Sequence, residues 1–281
     1  MSRDPRFKPS EWALILGASS GFGGATAVEL SKRGMNIFGV HLDRQATMSS
    51  VLHILKEIKH AGTKAVFFNI NAADAIKRSE TLDDIQERFF IESGSTVKVV
   101  LHSLAFGTLK PFIAKKTNDE ITQAQMEMTL DVMAHSLVYW VQGLMTRNLM
   151  RSGGRIFALT SSGGHTVIPS YGAISAAKAA LESHVRQLAM ELGQCGITSN
   201  AILAGVTDTP ALRKIPGAMT MLQIAKAKNP QHRTTTPEDV AKAIALLSQD
   251  DSYFISGNVI GVDAGEDKVS YGSPKHTSST D

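Results

Sequence analysis

Cysteine is almost absent from this chain. Of 281 residues only Cys195 is one, so no disulfide can close within a chain and no cysteine-rich metal site can form. A reducing compartment fits that composition. An excess of one charge is missing too: 29 Lys and Arg stand against 26 Asp and Glu, a net +3, without a basic run. Nucleic acid and anionic membranes therefore find no electrostatic footprint here. No segment approaches the roughly 18 consecutive apolar residues of a membrane span. Residues 1–11, a polar N-terminal extension, lack the apolar stretch of a signal peptide, and the expected location is cytoplasmic. The nine histidines show no metal-ligand spacing, so no metal is expected.

What is present is a regular alternation. The 43% hydrophobic content suffices for a large core. Short apolar runs fall at Trp12–Leu16, Ile37–Leu42, Ala65–Ile70, Val97–Leu101, Arg155–Leu159, Thr198–Leu203 and Asn258–Val262. Most lack period-two alternation, as strands buried on both faces of a parallel sheet do. Between them lie helical patterns at Phe22–Arg33, Thr47–His60, Thr81–Phe90, about Asn118 to Met150, Tyr171–Leu192 and Pro237–Ser248. Thr236-Pro237-Glu238 sets a capping hydroxyl before a proline at the first helical position, and Gly34 and Gly193 are placed as C-caps. The pattern predicts one α/β domain over residues 12–267, a doubly wound parallel sheet of about seven strands, with a flexible tail at 268–281.

After the first strand, Gly17-Ala18-Ser19-Ser20-Gly21-Phe22-Gly23 opens a helix. Glycines allow a tight turn and close approach of backbone to a pyrophosphate, and the helix N-terminus adds free N–H groups and a positive dipole end. Glycine spacing alone is weak evidence, but between a strand and a helix it points to a dinucleotide, as in a Rossmann fold. The second strand ends His41-Leu42-Asp43-Arg44, where the adenosine ribose would lie. Arg44 would suit a 2′-phosphate and Asp43 a 2′-hydroxyl, and His41 stands where an acid is usual. The reading leans to NADPH over NADH.

Tyr171 and Lys178 are seven residues apart. On a helix that is two turns, so both project from nearly one face, roughly 10 Å apart along the axis. An ammonium there can hold a ribose and favour tyrosinate character, and the tyrosine hydroxyl can polarise a substrate oxygen. The alternative is a packed tyrosine and a solvated lysine. Ser161 either assists or is an ordinary strand-end turn residue.

These pieces together resemble the short-chain dehydrogenase/reductase superfamily, from about Trp12 to Asp267: Gly17-x3-Gly21-x-Gly23, Ser161, Tyr171 with Lys178, and Ala204-Gly205-Val206-Thr207-Asp208-Thr209. The resemblance implies that Gly205 and Val206 frame the nicotinamide carboxamide and Thr209 touches the pyrophosphate. It places Asn71 and Ala72 at the adenine, Ser103, Leu104 and Ala105 under the nicotinamide ribose, and Lys178 on that ribose. Ser19, Ser20 and Phe22 join the glycines around the phosphates.

The departures narrow the resemblance. Common ketone-reducing members carry lysine four residues after tyrosine, where this chain has Ser175, and a relay asparagine where it has Met133. A seven-residue spacing is the pattern of enoyl-acyl carrier protein reductases. His102-Ser103-Leu104-Ala105-Phe106-Gly107 and Asp208-Thr209-Pro210-Ala211-Leu212 share that likeness, closest to the NADPH-using branch that keeps the glycine turn. The spacing has a physical logic. Reducing an enoyl thioester delivers hydride to the β-carbon, two bonds beyond the carbonyl carbon. The oxygen-binding hydroxyl must therefore stand farther from the nicotinamide, and three more residues add roughly 4.5 Å along the helix.

The likeness implies an acyl thioester substrate, on acyl carrier protein or coenzyme A, and a homotetramer. In this reading the helix with Gly172, Ala173, Ala176, Ala177 and Ala180 lets another helix approach closely. Residues 209–231, with Ala211, Leu212, Ile215, Met219, Met221, Leu222 and Ile224, form a substrate lid of adaptable apolar side chains; a helix packed on the core is the other reading. His165 is placed on a surface loop, and His102, His135 and His184 in packing or on helix surfaces. Two other functions stay open: a carbonyl, 3-ketoacyl or alcohol oxidoreductase with atypical spacing, and a non-catalytic dinucleotide-binding regulator.

Overall fold

A computed structural model describes residues 7–270. Part of the N-terminal extension and most of the expected tail lie outside the described residues. Every apolar run becomes a strand: β1 (Glu11–Leu16), β2 (Asn36–His41), β3 (Ala65–Asn69), β4 (Thr96–His102), β5 (Arg155–Thr160), β6 (Thr198–Ala204) and β7 (Val259–Val262). They form one parallel sheet in the order β3-β2-β1-β4-β5-β6-β7. The winding reverses between β1 and β4, and at such a switch point the loops part and leave a crevice at the carboxyl ends of the strands.

The five inner strands are almost wholly buried, as their continuous apolar runs require. The outermost two depart from that reading. β3 is half-buried and β7 alternates between exposed and half-buried, because an edge strand has a neighbour on one side only. Helices α1 (Gly21–Ser31), α2 (Met48–His60) and α8 (Pro237–Leu247) cover one face of the sheet around Ile15, Leu101 and Ile244. The other face carries α3 (Ala75–Ile91), α4 (Gln123–Leu130), α5 (Ser136–Thr146) and α6 (Gly172–Leu192) around Trp12, Trp140 and Leu181. Trp12 stacks on Phe38 at 4.1 Å.

Three boundaries move. α3 begins two turns before Thr81, because Asp74 accepts from the amides of Ile76 and Lys77 and caps a polar first turn that apolar periodicity does not reveal. The long middle helix starts at Gln123 and carries a π-helical turn at Asp131–His135 between α4 and α5. Gly193 stays right-handed inside a short 3₁₀ turn, and Gly196 takes the left-handed position (φ 69°) instead. Within the expected lid, α7 (Ala218–Lys228) forms after a left-handed Gly217.

Candidate active site

The glycine turn is built so that side chains cannot occupy it. Gly17 has φ +93°, and a Cβ there would lie 2.5 Å from the Ser103 carbonyl oxygen. A Cβ on Gly23 would collide with the Gly17 carbonyl oxygen. The turn is tied to the neighbouring strand, as Gly17 N and Ala18 N both donate to Val40 O at 2.8 and 3.0 Å. Ser20 caps α1 without a side-chain hydrogen bond, which leaves first-turn amides for an anion. Thr209 closes this space from above, its methyl 3.6 Å from where a Gly21 Cβ would stand. A pyrophosphate fits this cradle.

At the end of β2 the sequence alternatives separate. His41 is buried, and its Nδ1 lies 3.0 Å from Asp43 Oδ2. Arg44 is exposed. Burial raises the Asp43 pKa, but hydrogen bonds from Thr47, Ser19 and His41 outweigh it and hold the carboxyl below its ordinary value. A carboxylate is thus fixed against Ser19 of the glycine turn. Asn71 is exposed after β3, whereas Ala72 turns its methyl into the core and gives its carbonyl to Trp140 Nε1 at 2.8 Å.

A cleft opens over the carboxyl ends of β4, β5 and β6. Phe22, Ser103, Leu104, Ala105, Ser161, Tyr171, Lys178, Gly205, Val206 and Thr209 all line it, so most of the expected site converges. Tyr171 is the residue before α6 and is 8% exposed. Gly163 lies directly under its ring, where any Cβ would strike Tyr171 Cε1. Ser170, just before it, is held left-handed at φ 59°, a costly conformation for a residue with a side chain. Burial raises the Tyr171 pKa, and the adjoining Ser161 hydroxyl lowers it. Ser161 Oγ is buried without a hydrogen bond of good geometry, an unpartnered hydroxyl in the wall of the cleft. Lys178 is 6% exposed; its Nζ donates to Leu159 O at 2.6 Å, and burial brings its pKa down to about 8, against the pull of Glu182.

The positions that distinguish ketone reducers are also settled. Ser175 Oγ donates to Gly163 O and braces the Ser161 turn. Met133 sits in the π-helical turn and faces the cleft, its Sδ 2.9 Å from a would-be Gly107 Cβ. The extra residue of a π-turn re-aims the side chains around it, and periodicity could not foresee that.

Val206 lines the cleft beside Gly205, and its backbone N donates to Glu266 Oε1 at 3.1 Å. Glu266, buried beside Gly205, was missed; a lone acid after a strand carries no sequence signal. In the lid segment Ala211, Leu212, Ile215 and Met221 line the cleft, but Met219 and Ile224 point outward, 67% and 60% exposed. On α6, Ala173 and Ala177 are buried within the chain and Gly172 lies against Phe112, leaving Ala176 exposed and Ala180 half-buried. His165 is exposed and paired with Asp267 at 3.0 Å; His102 is buried on Ser136 at 2.9 Å, and His135 meets His184 at 3.0 Å. Among the described residues no cluster of His, Cys, Asp or Glu could hold a metal, and no helix is long and apolar enough to cross a membrane.

Fold and site together are those of a doubly wound α/β protein with a dinucleotide cradle at its switch point. Residues 17–266 match the family described as Enoyl-(Acyl carrier protein) reductase, and the chain belongs to that family. It is similar to the NADH enoyl-[acyl-carrier-protein] reductase FabI of Synechocystis sp., 34% identical over 62% of this chain and 66% of that one. It also resembles the FabI of Nostoc sp., 31% identical over 72% of this chain and 74% of that one. A cyclohexanol dehydrogenase of Rhodococcus sp. is 28% identical over 90% of this chain and 94% of its own length. Among solved structures, an NADH enoyl-[acyl-carrier-protein] reductase of Aquifex aeolicus superimposes with a TM-score of 0.79 at 24% identity, covering 93% of this chain and 98% of that one, a likeness of fold.

Proposed function

We propose that the chain reduces the conjugated double bond of an enoyl thioester, on acyl carrier protein or coenzyme A, with NADH as reductant. The observation that carries the reading is the Tyr171–Lys178 spacing realised in one cleft, both side chains buried there, with Ser175 at the intermediate position turned away onto Gly163. The FabI relatives carry this activity in their names.

When bound, the reduced dinucleotide supplies a hydride to the substrate β-carbon. The glycine turn and Thr209 hold its pyrophosphate, and Lys178 its nicotinamide ribose. Tyr171, kept protonated at neutral pH by burial, donates a hydrogen bond to the thioester oxygen as that oxygen gains enolate charge. Ser161, otherwise unpartnered, is free to support the tyrosine. Ile174, Leu212, Ile215 and Met221 give the acyl chain an apolar, adaptable wall, with residues 209–231 as the lid.

The sequence leaned to NADPH; the geometry at β2 supports NADH. Asp43 brings a negative charge against Ser19, where a 2′-phosphate would be repelled and a 2′-hydroxyl accepted, while His41 is sequestered. The assembly we propose is a homotetramer in the cytoplasm.

Carbonyl reduction is the second reading, favoured by the likeness to the cyclohexanol dehydrogenase. A panel of crotonyl and acetoacetyl thioesters and cyclic ketones, run with NADH and NADPH, separates the two. Oxidation of NADH by crotonyl thioesters is expected. Turnover confined to ketones would overturn the proposal in favour of the second reading, and tight dinucleotide binding with no turnover at all would restore the non-catalytic regulator.

A further inference from the structure

A second cavity borders α6 at Glu182. His165, Glu182, Asp263, Asp267 and Lys268 line it. Glu182 belongs to its wall and follows Lys178 by four residues on α6, so the two share one helix face. Its Oε1 accepts a hydrogen bond from Thr160 Oγ1 at 2.6 Å. Gly164 marks how closely the two side chains run: a Cβ there would be 3.1 Å from Glu182 Oε1 and 3.4 Å from Lys178 Cβ. The two side chains thus pack on either side of the same glycine, and the ammonium reaches to Leu159 O. Successive residues of β5 are gripped by the two side chains, Leu159 by Lys178 and Thr160 by Glu182.

Among the described residues, Glu182 is the carboxylate whose charge acts on Lys178. Tyr171, on the same helix, is protonated at neutral pH. His102, at the end of β4, is fully buried and neutral above about 3, and Lys178 is one of the charges that hold it so. From β5 come hydroxyls and a carbonyl. Across the second cavity, Asp267 is engaged by His165 and Lys268, and Asp263 accepts from the amides of Gly265 and Asp267. Of these groups, Glu182 combines a carboxylate, an anchor and proximity to the lysine.

We propose that Glu182 is a positioning residue for the reaction: fixed by Thr160 one turn along α6 from Lys178, its carboxylate keeps that lysine charged. Buried ammonium groups lose their protons readily, and a neutral Lys178 would no longer oppose charge developing at Tyr171. The thermodynamic sign agrees, since burial lowers the Lys178 pKa and the Glu182 charge raises it. The inference rests on the placement of Lys178 in the proposed reaction, but its test does not require turnover.

The test follows the protonation of Lys178 in the free enzyme. Lysine enriched with ¹³C at Cε gives one resonance per lysine, and Lys178→Arg identifies the relevant one. Glu182→Gln keeps the size and the acceptor for Thr160 but removes the charge. Its Lys178 midpoint should fall by about one pH unit, a roughly tenfold larger dissociation constant. Glu182→Asp should recover part of that shift. Thr160→Val, which keeps the carboxylate but frees it, should give a smaller fall and serves if Glu182→Gln does not fold. The alkaline limb of NADH binding, followed by nucleotide fluorescence, should move in the same direction. An unchanged midpoint in a folded Glu182→Gln or Thr160→Val protein overturns the proposal, as does a uniform loss of NADH affinity at every pH. Failure of the wild type to reduce crotonyl thioesters would instead sink the proposed function and leave the titration standing.

Discussion

Tyr171 shows how a single residue acquires a role from its surroundings. Left-handed Ser170, the flat place made by Gly163 and the unpartnered Ser161 fix its ring and hydroxyl in the cleft. Tyr171→Phe keeps the packing and removes the proton donor. Turnover should fall by about 10²–10⁴, the usual worth of a positioned acid, with NADH affinity within a few-fold of wild type by fluorescence titration. Near-normal turnover would remove Tyr171 from the chemistry. Asp43 carries the second residue-scale prediction. Asp43→Ser removes the carboxylate facing Ser19 and should shift the NADPH-to-NADH affinity ratio toward NADPH by roughly tenfold, about 1.4 kcal/mol. No shift would mean that Asp43 does not face the adenosine ribose. At this scale the sequence disclosed which residues come together, since glycines, tyrosine and lysine announce themselves by spacing. It did not disclose which of His41, Asp43 and Arg44 faces outward, because two residues of strand-end twist decide that.

Elements obey local chemistry where their ends are capped. Thr236 accepts from Asp239 N, Asp239 reaches back to Thr236 N, and Pro237 opens α8. The Arg233 guanidinium beside Asp239 holds its carboxyl at about 2, so the cap stays charged at any physiological pH. Thr236→Ala should cost about 1 kcal/mol and lower the thermal midpoint by roughly 2–4 °C, with NADH affinity unchanged. A loss of affinity instead would tie α8 to the cofactor site. This cap was legible because it lies within four consecutive residues. The π-turn at Asp131–His135 was not, since it depends on how α4 and α5 pack against α6, nor was Gly196, which ends a 3₁₀ turn that apolar periodicity does not register.

At the scale of the whole molecule, packing converts ordinary side chains into buried charges. His102 ends β4 beneath α5, its Nε2 on Ser136 and its Nδ1 unpartnered. Burial lowers its pKa from 6.5 to about 3. Between those values the unfolded chain binds a proton that the folded protein refuses, so stability falls as pH falls from about 6.5 toward 3, by up to roughly a kilocalorie per mole per pH unit. Denaturant unfolding across that range should show the slope, and His102→Gln should flatten it. An unflattened slope would assign the acid sensitivity elsewhere.

The sequence by itself determined the winding of the sheet, the glycine turn at its switch point and the pairing of Tyr171 with Lys178 on one helix. Each is written in short-range order: continuous apolar runs, glycines four and two residues apart, two side chains two helical turns apart. Tertiary structure alone decided what those groups experience. It brought Glu266 sixty residues along the chain to Val206 N, set Asp43 against Ser19, and joined Thr160 to Glu182 one turn along α6 from Lys178. Contacts of that kind join distant segments through burial and hydrogen bonding, and local pattern carries no trace of them. The chemistry was visible in the letters; the charge state and orientation of its groups required the fold.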